Sequence, residues 1–195
     1  MSDFQNIIYR GKEIDDKNTF EILPDYLRDF LSRQNGFVMI NGGLHFRGCV
    51  LTPKWHSLGY VWFGELKLSD LFDCLTKNDI PIAQDCFGDQ YLIRDNKIIK
   101  LLAESGDLEF LEIDFDKFIE NLKADPVRTL NVENVDKFDL KPGKLLSVIP
   151  PFCIKSDSER SFKQIDAEER IRFLSNLSRQ IRNLPDGTSI KFKVE

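Results

Sequence analysis

Residues 79–122, DIPIAQDCFGDQYLIRDNKIIKLLAESGDLEFLEIDFDKFIENL, constrain the fold more than any other stretch of the chain. Ile80, Ile82 and Ala83 open a β-prone run, and Phe87-Gly88-Asp89 reads as a tight turn. Tyr91-Leu92-Ile93 is a second run, closed by Asp95-Asn96. Ile98, Ile99, Leu101 and Leu102 form a third, broken at Ser105-Gly106-Asp107. Phe110, Leu111 and Ile113 form a fourth, which leads into a helix carrying Phe115, Phe118, Ile119 and Leu122. A meander of this kind buries one face by itself. The helices on either side of it are its natural cover.

Upstream, Pro24 suits the first turn of a helix, with Asp25 placed for the helix dipole. Tyr26, Leu27, Phe30 and Leu31 form its apolar stripe, and Asn35-Gly36 stops it. Phe37–Ile40 is β-prone, Asn41-Gly42-Gly43 marks a turn, and residues 44–50 alternate loosely. Residues 52–57 read as a loop, and Tyr60 to Phe63 as an aromatic stretch. Leu66, Leu68, Leu71, Phe72 and Leu75 describe a short amphipathic helix. Residues 1–22 give no firm pattern.

Composition shifts at Lys123-Ala124-Asp125-Pro126. Beyond it, Leu145–Ile149 reads as a strand ended by Pro150-Pro151, and 154–160 as a charged loop. Asp166 is a good N-cap, with Glu169 in capping-box position. Ile171, Leu174, Leu177, Ile181 and Leu184 then share one helical face, and 188–194 alternate as a last strand. The expected class is α+β: one mixed, mainly antiparallel sheet with flanking helices. Residues 1–125 form the core, and 126–195 form a strand-helix-strand extension packed on the same domain.

A chain of 195 residues that is 42% hydrophobic buries one good core, and 16 Phe give that core an aromatic character. The net charge of -5 and the lack of a basic stripe argue against nucleic acid and favour a basic partner. No apolar run reaches the roughly 20 residues of a membrane helix, and residues 1–18 lack a signal-peptide core. Cys49, Cys74, Cys86 and Cys153 follow no zinc spacing and read as free, buried thiols in a reducing compartment, so a cytoplasmic protein is expected.

No residue pattern spells out catalysis. His45 and His56 have no nucleophile beside them in sequence, and His56, next to Trp55 in a loop, is the better recognition residue. Asp79, Asp85, Asp89 and Asp95 lie at strand ends and turns, where Asp stabilises the turn itself; a metal-dependent enzyme built on all four is the lesser alternative. Gly42-Gly43 and Gly48 lie between β-prone runs with no GK[ST] after them, which fits a hairpin and not a phosphate loop. Arg170, Arg172, Arg179 and Arg182 lie beside Glu168 and Glu169, as on a solvated helix face. Trp55, Tyr60, Trp62 and Phe63 either anchor a partner or pack beneath their loop.

Residues 23–31, LPDYLRDFL, followed by Asn35-Gly36, resemble the opening of the SUKH superfamily. Residues 81–92, PIAQDCFGDQYL, resemble its second motif, and 110–122 its closing strand and helix. The likeness covers about residues 20–122. It departs where the double glycine expected after the first helix appears as Gly36-Phe37, with Gly42-Gly43 later. The resemblance implies a non-enzymatic domain without metal or cofactor, of the bacterial immunity type that binds and neutralises a cognate toxin, often a nuclease. Its partner face would be the open side of the sheet and its turns, with Asp85, Asp89, Trp55, Trp62 and His56 as contact residues. A general regulatory domain that binds a peptide or small ligand is the other reading.

Overall fold

The four runs at 80–113 become the middle and one edge of a longer meander, the last of them shifted back to Asp107–Phe110. The computed structural model describes residues 4–132, 135–185 and 187–188. In chain order its main elements are β1 (Ile7–Arg10), α1 (Lys17–Glu21), α2 (Asp25–Arg33), β2 (Phe37–Met39), β3 (Leu44–Phe46), α3 (Leu58–Trp62) and α4 (Leu68–Leu71). There follow β4 (Ile80–Asp85), β5 (Gln90–Arg94), β6 (Lys97–Leu102), β7 (Asp107–Phe110), α5 (Phe115–Ala124) and α6 (Pro126–Leu130). The chain then forms β8 (Lys144–Ile149), β9 (Ser161–Asp166) and α7 (Ala167–Ile181). Strands β1 to β7 lie side by side in sequence order, each antiparallel to its neighbours. The fold is α+β, with the sheet antiparallel between all its named strands.

Period-2 alternation sends neighbouring side chains of β5 and β6 into two separate cores. Tyr91, Ile93 and Ile98 join Leu27, Phe30, Phe115 and Phe118 on one face. Leu92, Ile99 and Leu101 join Leu68, Phe72, Ile171 and Leu174 on the other. Helices α2 and α5 thus cover one face, and α3, α4 and α7 the other. The extension does not lengthen the sheet: β8 and β9 form a hairpin of their own, which α7 follows directly.

Several local expectations hold and several need correction. Helix α2 starts after Pro24 and carries Asp25 in its first turn and Arg33 in its last. Gly36 has φ +74, and a Cβ there would lie 2.7 Å from the Arg47 and Gly48 backbone, so glycine is required. The helix expected over 66–75 shrinks to α4, because Leu75 turns back onto the core through its N–H to the Phe72 carbonyl. β9 begins just after the loop read at 154–160, over residues to which the sequence reading assigns no element. Asp166 does begin α7, but its carboxylate pairs with Lys144 at 2.9 Å and makes no capping bond. The last expected strand lies, Thr188 apart, outside the described residues.

Candidate functional site

The β4–β5 turn is built around one carboxylate. Asp85 Oδ1 accepts the N–H groups of Phe87, Gly88 and Asp89 at 2.9, 3.1 and 3.1 Å. Gly88 supplies the positive φ of +103 that closes the turn. Lys100 Nζ lies 3.0 Å from Asp89 Oδ2 and 3.5 Å from Asp85 Oδ2. Asp89 Oδ1 accepts the Ala103 N–H at 2.9 Å, tying the turn to the end of β6. Burial, and then the neighbouring Asp89, push the Asp85 carboxyl up to about 7. Burial opposes the Lys100 ammonium, but the two carboxylates outweigh it and its pKa is raised.

Lys100 stands in a cross-strand row, Tyr91–Lys100–Glu109. This row floors a cleft of ≈ 710 Å³ on the sheet face that α2 and α5 leave open. Helix α6 forms one wall through Arg128 and Leu130, and Phe87, Glu104 and Phe152 form the other. Glu104 accepts from Arg170 at 3.3 Å and from the Cys153 N–H at 2.9 Å. The rim is aromatic. Phe152 packs edge-on against Phe87 at 5.1 Å and approaches Phe162 at 6.5 Å, and Phe162 meets Phe138 at 4.9 Å. Phe152 remains 47% exposed, a large apolar surface beside charged side chains. Burial, then Glu104, push the Cys153 thiol at this rim up to about 12, so it is not a thiolate at neutral pH.

Behind this, inside the protein, a second polar cluster joins residues far apart in sequence. Gln84 Nε2 donates to His45 Nδ1 at 3.2 Å. His45 Nε2 meets His56 Nδ1 at 2.8 Å, and His56 Nε2 meets the Asn35 carbonyl at 3.3 Å. One proton arrangement satisfies the whole chain: both imidazoles neutral, each with its hydrogen on Nε2. Burial, then His56 and Arg47, hold His45 well below its ordinary value, and burial lowers His56 to about 4.

These positions revise the expected contact residues. His56 is fully buried in the imidazole pair and is no surface contact. Asp85 is also buried, so its role is the turn. Asp89 is half-buried and lines the cleft. Trp55 packs against Tyr9, His45 and His56, and Trp62 donates its indole N–H to the Lys77 carbonyl at 3.0 Å. Neither Trp lines the cleft, so the packing alternative fits both. The four-carboxylate alternative divides in two. Asp79 and Asp85 lie at opposite ends of β4, about 20 Å apart at 3.3 Å per residue. Asp79 is held by Arg94 at 2.6 Å. Among the described residues, no group of three His, Cys, Asp or Glu side chains is placed to hold a metal ion. No described helix is long and apolar enough to cross a membrane. Cys153, expected buried, is exposed. The aromatic rim went unread because Phe138, Phe152 and Phe162 come together only through the β8–β9 hairpin.

No family model and no curated protein sequence matches this chain. A similar solved structure is the crystal structure of Atu4351 from Agrobacterium tumefaciens, at 14% identity and TM-score 0.53, over 87% of this chain and 85% of that one. At this identity the likeness shows a shared fold alone.

Proposed function

We propose that the chain is a non-catalytic binding protein that holds and neutralises a basic toxin protein in the cytoplasm, the immunity role that the SUKH resemblance implies. The observation that carries this reading is the open cleft on the sheet, floored by Tyr91, Lys100 and Glu109 and rimmed by half-buried Phe87 and exposed Phe152. Aromatic anchors beside charged groups are the usual composition of a protein-binding hot spot. Asp85 apart, the acidic groups in the cleft are Asp89, Glu104 and Glu109, against Lys100 and Arg128. With a chain charge of -5, this sign attracts a basic partner and speeds encounter.

Co-expression with the product of an adjoining gene that is itself toxic to cells tests the reading. The expected result is restored growth and a copurifying complex. Absence of both removes the proposal. A cleft of ≈ 710 Å³ also falls within the size range of small-ligand sites, which favours the peptide or small-ligand alternative. Copurification of a small molecule in place of a toxin would support that alternative.

A further inference from the structure

Arg47 is 1% exposed, and no carboxylate meets it among the described residues. Its Nη1 donates to the Pro81 and Ala83 carbonyls at 2.9 and 3.3 Å. Its Nη2 donates to the Gln84 and Gln90 amide oxygens at 2.7 and 2.6 Å. Every one of these acceptors is neutral, and Nε has no acceptor among the described residues. The adjoining imidazoles are neutral too, so among the described residues no ion pair balances the guanidinium. A buried charge without a counter-ion is costly, and an orphaned buried donor adds to that cost.

The same side chain lines a small, partly open cavity of ≈ 40 Å³, with Trp55, Tyr60 and Gln84 beside it. Val61, Leu66 and Ile171 give the cavity apolar walls. Its remaining wall is the first turn of α7, at Ala167 and Glu168. This is the N-terminus of a 15-residue helix, and the Asp166 side chain makes no capping bond there. The Ala167 N–H is already given to the Gly143 carbonyl at 3.0 Å; the following N–H groups of such a turn carry partial positive charge. Glu168 brings the one carboxylate of the wall, and it is already engaged by Arg172 at 2.8 Å and by the Tyr60 hydroxyl at 2.9 Å.

We infer that this cavity is a site for one small, weakly hydrated monovalent anion such as chloride, which balances Arg47 and ties the first turn of α7 to the sheet. The space exceeds the roughly 30 Å³ that one water occupies in the liquid. The apolar walls select against strongly hydrated polyanions such as sulfate. The ion would join the extension to the strands that carry Arg47 and Gln84, and this inference stands apart from the toxin-binding reading.

Thermal unfolding of the full chain tests it, with sodium gluconate replaced stepwise by sodium chloride or bromide at constant ionic strength. The expected result is a saturable rise in Tm, on the order of 5–10 °C when the halide is at 100 times its Kd. Crystals grown in bromide are expected to show one anomalous peak beside Arg47. Val61→Leu fills the cavity with one extra methylene and is expected to lose the halide dependence. Equal Tm in gluconate and halide, with no bromide peak and only a water in the cavity, overturns the inference. So does a halide effect that persists unchanged in Val61→Leu.

Discussion

Replacing Asp85 with Asn keeps the shape of the β4–β5 turn and removes one buried charge. The amide oxygen can still accept the three N–H groups that Asp85 Oδ1 accepts from Phe87, Gly88 and Asp89. In the folded chain the Asp85 carboxyl is raised from 3.8 to about 7, first by burial and then by Asp89. Folding therefore favours the protonated form. The stability this group contributes is fully present below about pH 4 and is lost as pH rises through 7. At 1.36 kcal/mol per pKa unit, about three units amount to roughly 4 kcal/mol at pH 8. Asn carries no charge and escapes this loss. The buried histidines act in the opposite sense, losing stability as pH falls, but they are common to both proteins and cancel in the difference. Urea unfolding from pH 4 to pH 8 is the assay. The advantage of Asp85→Asn over wild type should grow with pH, up to about 4 kcal/mol, with an unchanged m-value. Asp85→Ala, which also removes the acceptor, should be about 3 kcal/mol less stable than Asp85→Asn at every pH, near 1 kcal/mol per lost hydrogen bond. A difference between Asn and wild type that does not vary with pH would refute the reasoning.

Three further outcomes follow from the packing and the buried polar groups. Asp79→Ala should lower stability by about 3–5 kcal/mol in urea unfolding, because it strips Arg94 and the Thr76 N–H of their acceptor in a site where Asp79 is buried. Nitrogen-15 NMR at pH 6 should find both imidazoles neutral and protonated on Nε2, as the Gln84–His45–His56–Asn35 chain requires; an imidazolium at either position would contradict it. Leu174→Ala should cost about 3–5 kcal/mol in a single unfolding transition, since Leu174 is buried in the core that α7 shares with β5 and β6; a separate early transition would show that the extension folds independently.

The strands at 80–110 were legible because their apolar residues come in short β-prone runs that Gly88, Asn96 and Gly106 punctuate at turns. Asp85 was legible as a turn residue for the same local reason. Its burial was not, because that depends on Lys100 two strands away. β9 was missed because Ser161–Asp166 has only two apolar residues, Phe162 and Ile165, and its partner β8 lies beyond a long loop. The His45–His56 pair was illegible because no local pattern reports that two residues 11 apart will meet inside the protein. Trp55 and Trp62 looked like anchors by residue type alone. Only the fold shows Trp55 packed on that pair and Trp62 bonded to Lys77.

The affinity of cleft variants for a toxin that the wild-type chain neutralises on co-expression, measured by isothermal titration calorimetry, tests the binding account most directly. Phe152 is exposed at the rim and Glu109 is exposed on the floor, so Phe152→Asp and Glu109→Lys should leave Tm within a few degrees of wild type. Each is expected to weaken binding about 100-fold, near 2.7 kcal/mol. Wild-type affinity in both variants would contradict the account.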